Sequence, residues 1–528
     1  MSWPKVIKST RCTCMNITIT KLLLCLTLLT TLTPTAPADW PQAAGPTYDF
    51  VDTGKTPTHF SGTRGTNIRW RAKLPNTGQG TPVVVGDRVF IQCHEPIQAD
   101  TEMSSLTVGL CFDANSGEEL WRRELPAART TDLSSLFSDN TAASAVATKE
   151  LVAFVNVGGR ISVFDHDGKQ KWTYAWVPFG RHHSRQHEPF LFENQLIILK
   201  TIKDDLPISA TTKAGSHPLG RGKEYWTHLH AFDLVSGKTT WIAKTGTGIH
   251  AASRFGIYQG KPIILTGRGG GHQPPEEPFG ISRVNAKDGS TDWDAGVHGY
   301  PSAQNVTWNK NGVYGFGGQT HFSLDLTTGS PSSMASLTDD VSVTSGFPNY
   351  STQTHQQFKP AKKAITYQTN IVVGDYHYFL SHKAGFIGRV HLKSNSVEYL
   401  QVPLQVVRNI KTKEEKYLLD KTLPNDMKNA DGFLATQDRR NAGNGWGHVS
   451  AASPTVVGDV MYLPTMVGTV YVLKWNVDQF DENTLLSVSD LGPAGKTWTL
   501  SSLAHSKGRL YARTLKELIC IETPQDLP

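Results

Sequence analysis

Cysteine is scarce, with six in 528 residues, and Cys12, Cys14 and Cys25 fall in the first 25 positions. The remaining Cys93, Cys111 and Cys520 are too few for a disulfide framework in a chain of this size. No stretch beyond the N-terminal region approaches the ~20 apolar residues that cross a bilayer, so stable membrane insertion is not expected. Charge of one sign is also lacking: of the formal +6, four positive charges (Lys5, Lys8, Arg11, Lys21) lie in the first 38 residues with no acidic residue beside them. About +2 is left, too little to suggest a nucleic-acid partner. Helical spacing of apolar residues is nearly absent, which argues against an α or α/β fold.

The first 38 residues read as an export signal. Basic residues precede an apolar run from Leu22 to Leu32, and Ala36-Pro37-Ala38 supplies a small-x-small cleavage site before Asp39. A start at Met15 gives that signal an ordinary length. Cys25 is not preceded by the small residues of a lipobox, so no lipid anchor is expected, and the mature chain should be periplasmic or secreted. The expected organisation is a signal peptide at 1–38, an N-terminal extension at 39–66 and a single repeat body at 67–528.

The body announces itself by repetition. Trp70-Arg-Ala-Lys-Leu-Pro75 returns as Trp121-Arg-Arg-Glu-Leu-Pro126, and periods of roughly 40 to 50 residues belong to propeller blades. Short apolar runs alternate with Gly and Asp punctuation, the pattern of antiparallel strands. A turn recurs as Asp113-x3-Gly117-x3-Trp121, Asp233-x3-Gly237-x3-Trp241 and Asn285-x3-Gly289-x3-Trp293, shortened at Asp165-x2-Gly168-x3-Trp172 and without tryptophan at Asp325-x3-Gly329. The carboxylate or amide accepts from turn N–H groups, glycine supplies positive φ, and tryptophan covers the seam between sheets. This template places blades at about 81–126, 141–178, 187–246, 250–297, 301–337, 365–404, 449–492 and from 497 onward. His391 and Lys474 stand where two later turns would carry aspartate. The last blade has only three strands of its own, and Asn67-Ile-Arg-Trp70 has an outer-strand signature without inner strands. The expected fold is therefore all-β: an eight-bladed propeller of four-stranded antiparallel blades, closed by the N-terminal strand.

With its Asp/Asn-x3-Gly-x3-Trp turns and its Val-Val-Gly-Asp hairpins near 84–90, 372–378 and 456–462, the chain resembles the PQQ-like β-propeller repeat family. That family includes quinoprotein alcohol dehydrogenases and outer-membrane assembly factor lipoproteins. Trp40-Pro-Gln-x2-Gly-Pro46 is similar to the mature N-terminus of exported bacterial members. The resemblance implies, for a dehydrogenase, a quinone on the funnel floor against a tryptophan, a vicinal cysteine pair, a calcium held by Glu, Asn and Asp, and a catalytic aspartate. No adjacent cysteines occur after the leader, and the calcium ligands and base do not map onto residues here. No cofactor is expected, with PQQ and calcium as the alternative.

In a propeller the interblade connections share one face with the loops between second and third strands. The long insertions, at 94–106, 203–227, 269–280 and 406–447, all fall on that face, and loops gathered at one end of a rigid scaffold are where binding resides. His183 and His187 enter blade 3, His250 blade 4 and His448 blade 7, and His298 precedes blade 5; Arg185, Arg254 and Trp446 accompany them. Imidazoles and guanidinium groups at a channel mouth suit a small anion, a metal or a planar ligand. Cys111 and Cys520 read as buried core thiols, His228 and His230 as one face of a half-exposed strand, and the charged segment 411–440 as a solvated excursion. The expected function is a monomeric, non-catalytic binding or scaffolding module for a protein, a glycan or a small anionic ligand. The alternatives are a divergent PQQ-dependent oxidoreductase of alcohols or sugars and a metal-dependent enzyme acting on polysaccharide.

Overall fold

The computed structural model describes residues 39–95, 102–103, 106–127, 131–132, 142–176, 188–201, 227–243, 245, 253–268, 280–297, 305–366, 369–437 and 452–524. They form eight antiparallel blades around an axis, spanning 83–126, 146–175, 190–242, 254–296, 307–336, 370–401, 455–490 and 504–521. The eighth is completed by Ile68–Lys73, which pairs antiparallel with Glu517–Ile521 and sets Trp70 opposite Cys520. The expected closure of the ring is thus observed. Only one short 3-10 turn, Ala435–Gln437, interrupts the β structure of the described residues, and no helix among them is long and apolar enough to cross a membrane.

Position within a blade explains each strand's composition. Second strands such as Arg88–His94 lie between neighbouring sheets and are buried on both faces, so they read as continuous apolar runs. Outer strands such as Glu119–Pro126 alternate exposed charges with buried Trp121 and Leu125, the signature of a half-covered edge.

One device joins consecutive blades at five seams. The outer-strand tryptophan of each blade lies on the turn glycine of the next and donates its indole N–H to a turn carbonyl there. Trp70 donates to Ala114 O at 3.1 Å, Trp121 to His166 O at 2.8 Å, Trp172 to Leu234 O at 2.8 Å, and Trp241 and Trp293 to Ala286 O and Leu326 O, each at 3.1 Å. The turn beneath is fixed by its carboxylate: Asp113 Oδ1 accepts from the N–H groups of Asn115 and Ser116 at 2.9 and 2.8 Å. Where blade 6 lacks the aspartate, His391 Nδ1 accepts from Ser394 N–H at 3.1 Å, and Asn395 takes the left-handed position at φ 59° in place of glycine.

Gly237 carries two constraints at once, φ +71° and a face so close to Trp172 that a Cβ would lie 2.8 Å from the indole. Gly86, at φ +60° with open space beyond it, carries only the first. Gly86→Ala should therefore cost about 1–2 kcal/mol and Gly237→Ala about 2–4 kcal/mol, by left-handed strain alone and by strain plus overpacking. Urea unfolding of the two variants checks the difference, and equal losses would show that the seam tolerates the extra carbon.

Two blades exceed four strands. In blade 6 the hairpin Val341–Ser345/Ser351–Gln356 adds to the outside, Val341–Ser345 running parallel to Val397–Gln401. In blade 7, Val51–Asp52 adds to the channel side of the inner strand, parallel to Val456 and Val457. A separate hairpin, Gln405–Arg408/Glu415–Leu418, anchors the base of the charged excursion. Its buried Arg408 contacts Asp490 at 2.5 Å and donates to Val488 O at 2.7 Å, while the described part of the excursion, 411–437, is exposed or half-buried except at Thr422, Asn429 and Ala435, as expected of a solvated segment.

Candidate functional site: the axial channel and the loop-rich face

A propeller's inner strands leave unpaired backbone edges around the axis, and these must find partners. Here the N-terminal segment supplies them. Trp40, fully buried, exchanges backbone hydrogen bonds with Val84 of blade 1 at 2.7 and 2.9 Å. Pro41 O accepts from Ala147 N–H of blade 2 at 2.8 Å, and Gln42 Oε1 accepts from Leu191 N–H of blade 3 at 2.9 Å. Tyr48 packs on Phe255 of blade 4 with ring centroids 4.3 Å apart. Phe50 O accepts from Val456 N–H of blade 7 at 2.9 Å, and Asp52 Oδ2 meets His505 Nδ1 of blade 8 at 2.8 Å, both side chains buried. Residues 40–52 thereby touch the inner strands of six blades and occupy the axis.

The segment enters and leaves at the turn-bearing end. Asp39 Oδ1 accepts from Gly86 N–H and Asp52 O from Gly458 N–H, both 2.9 Å, at the hairpins that follow two inner strands. Its middle reaches toward the opposite end, where the Arg254 guanidinium lies 4.8 Å from the Phe50 ring centroid. Arg254 also donates to Ser453 Oγ at 3.3 Å, and Asn305 Nδ2 reaches the same oxygen at 3.3 Å. Blades 4, 5 and 7 are thus tied across the channel. Burial lowers the Arg254 guanidinium to about 10, with the Asp49 carboxylate opposing. The space left between this segment and blades 3 and 4 is about 30 Å³, bounded by Gln42, Tyr48, Phe50, Glu188 and Arg254, which is room for about one water.

Of the candidate ligand-binding residues at the channel mouth, Arg254 is the one the structure describes, and it is spent on internal contacts. His183, Arg185, His187, His250, His298, Trp446 and His448 lie outside the described residues. Among the described residues no three His, Cys, Asp or Glu side chains converge as ligands of one ion. His228 and His230 are both buried rather than half-exposed, because blade 3's third strand is covered on both faces. Cys111 and Cys520 are buried free thiols, each raised to about 12 by burial. Cys93 is buried as well and accepts from the Arg513 guanidinium at 3.2 Å, so none of the three sits beside another.

The axial segment is what sequence reasoning missed. Its signal was the density of Trp40, Tyr48, Phe50 and Phe60 in a stretch without strand alternation, since four aromatics outside any repeat need a core to enter.

A closed ring of eight four-stranded blades defines the class. The chain belongs to the PQQ-like β-propeller family: the family profile described as outer membrane protein assembly factor BamB matches residues 48–188 and 107–345. Among solved structures, the quinohemoprotein alcohol dehydrogenase ADHIIG from Pseudomonas putida HK5 is similar at 12% identity and TM-score 0.50, over 93% of this chain and 82% of that one. BamB from Moraxella catarrhalis is 14% identical with TM-score 0.35, over 73% of this chain and 94% of its own. The quinohemoprotein alcohol dehydrogenase from Comamonas testosteroni is 13% identical with TM-score 0.45, over 93% and 81%. No curated protein matches the chain. At these identities the likeness is one of fold.

Proposed function

We propose that this is an exported binding or scaffolding propeller, non-catalytic, that holds a protein, a glycan or a small anion on its loop-rich face. The carrying observation is the occupied axis. Among the described residues, Tyr48, Phe50 and Arg254 pack together in the channel, and the space between this segment and blades 3 and 4 is about 30 Å³, against ~300–1,000 Å³ for a cofactor-sized pocket. With the axis taken, binding falls to the rim and its long loops. Cys93, Cys111 and Cys520, none adjacent to another in the sequence, support the same reading over a quinoprotein. The leader, with its basic start and small-x-small end, supports export.

Reconstitution decides between the two. The purified mature chain, incubated with PQQ and calcium, should give no dye-linked oxidation of alcohols or sugars above the protein-free control. Turnover that depends on both additions would replace this reading with the oxidoreductase one.

A further inference from the structure

Outside the axis, a cleft of about 300 Å³ lies between blades 7 and 8. It opens on the loop-rich face, bounded by the end of the closing strand at Lys73, the interblade connection 491–497 and the loop 514–516. Its floor is apolar, made by the buried Leu74, Leu491 and Leu515 with half-buried Met427. Its rim is cationic. Lys73 and Lys516 are exposed there, while Lys496 is paired with Asp426. The acidic groups nearby are already engaged: Glu517 with Arg71 at 2.7 Å, and Asp431 with Asn76 Nδ2 at 3.0 Å. Glu517 lies across the strand pair from Lys73 but is shared with Arg71, so with Lys516 and Lys496 the rim keeps an excess of positive charge over the apolar pit.

From this juxtaposition we infer that the cleft binds a small amphipathic carboxylate, its apolar body of about six to ten carbons on the leucine floor and its headgroup between Lys73 and Lys516. The assignment rests on the loop-rich face being a binding surface and names a ligand class for it. A neutral ligand of the same length would use the floor alone. A hydrophilic anion would leave the floor wet.

The test is calorimetric titration of the full mature chain with octanoate, with 1-octanol as the uncharged probe of equal length. Octanoate should bind once per chain at roughly millimolar Kd or tighter, and 1-octanol roughly tenfold more weakly. K73Q/K516Q changes two exposed side chains, so it should keep the wild-type melting curve while weakening octanoate roughly tenfold and leaving 1-octanol unchanged. No saturable octanoate binding, or equal binding by wild type and K73Q/K516Q, overturns the assignment. Neither result touches the reconstitution experiment, so failure of this cleft and failure of the scaffold reading are separable.

Discussion

Replacing Trp70 by alanine should destabilise the protein by about 3–5 kcal/mol, the range for removing a large buried aromatic. Trp70 covers Gly117 so closely that a Cβ there would come within 2.6 Å of the indole, and it donates to Ala114 O at 3.1 Å. Its backbone pairs with Cys520. This seam joins blade 8 to blade 1, and its outer strand comes from the opposite end of the chain to the other three. Trp241→Ala removes an equivalent contact at an internal seam, where the chain itself still connects the two blades. Urea unfolding of the pair separates local packing from closure. Trp70→Ala should lose cooperativity as well as midpoint, appearing as a smaller m-value, whereas Trp241→Ala should keep the wild-type slope. Identical slopes would mean that the ring holds without its closing seam.

The second large effect is acid lability. His321 and His377 form a buried pair, His321 Nε2 to His377 Nδ1 at 3.0 Å, with His377 Nε2 3.1 Å from Asn370 Oδ1. His377 Nε2 also lies 3.2 Å from Thr307 Oγ1. One imidazole donates across the pair, so a further proton on the acceptor nitrogen would face the N–H of its neighbour. Burial lowers His321 and His94 to about 3, His230 to about 2, and His377 well below its ordinary 6.5. The unfolded chain takes up protons near 6.5 that the folded chain refuses. The stabilising contribution is therefore complete above that pH and lost as pH falls from about 6.5 toward 3. Each histidine costs about 1 kcal/mol between pH 6.5 and 5.5, so the four together cost about 4 kcal/mol. Denaturant midpoints at those two pH values measure it. His321→Asn removes one titrating group and should flatten the profile, and an unchanged profile in that variant would assign the lability elsewhere.

What the sequence disclosed and what it hid divide along one physical line. The Asp-x3-Gly-x3-Trp turns are local: acceptor, glycine and tryptophan sit within nine residues, so the expected blade boundaries fall within about seven positions of those observed. Closure by 68–73 was legible because a strand signature stood without its partners. The axial segment was not. Trp40 to Val84 is a neighbouring contact, but Asp52 to His505 and Phe50 to Val456 span more than 400 positions, and nothing periodic announces them. The outer hairpin at 341–356 was hidden for a related reason. Its edge strand Ser351–Gln356 is exposed almost throughout, so its polar Thr and Gln side chains look like loop.

The same long spans bear on how the molecule is made. Phe50, Asp52 and the closing strand 68–73 are synthesised more than 400 positions ahead of their partners at 456, 505 and 517–521. Blades 1 to 7 have all their own strands earlier, but no chain interrupted before 517–521 can pair the strand that carries Trp70. Ring closure thereby waits for 517–521, and a copy cut before them carries an unpaired closing strand that chaperones and proteases recognise.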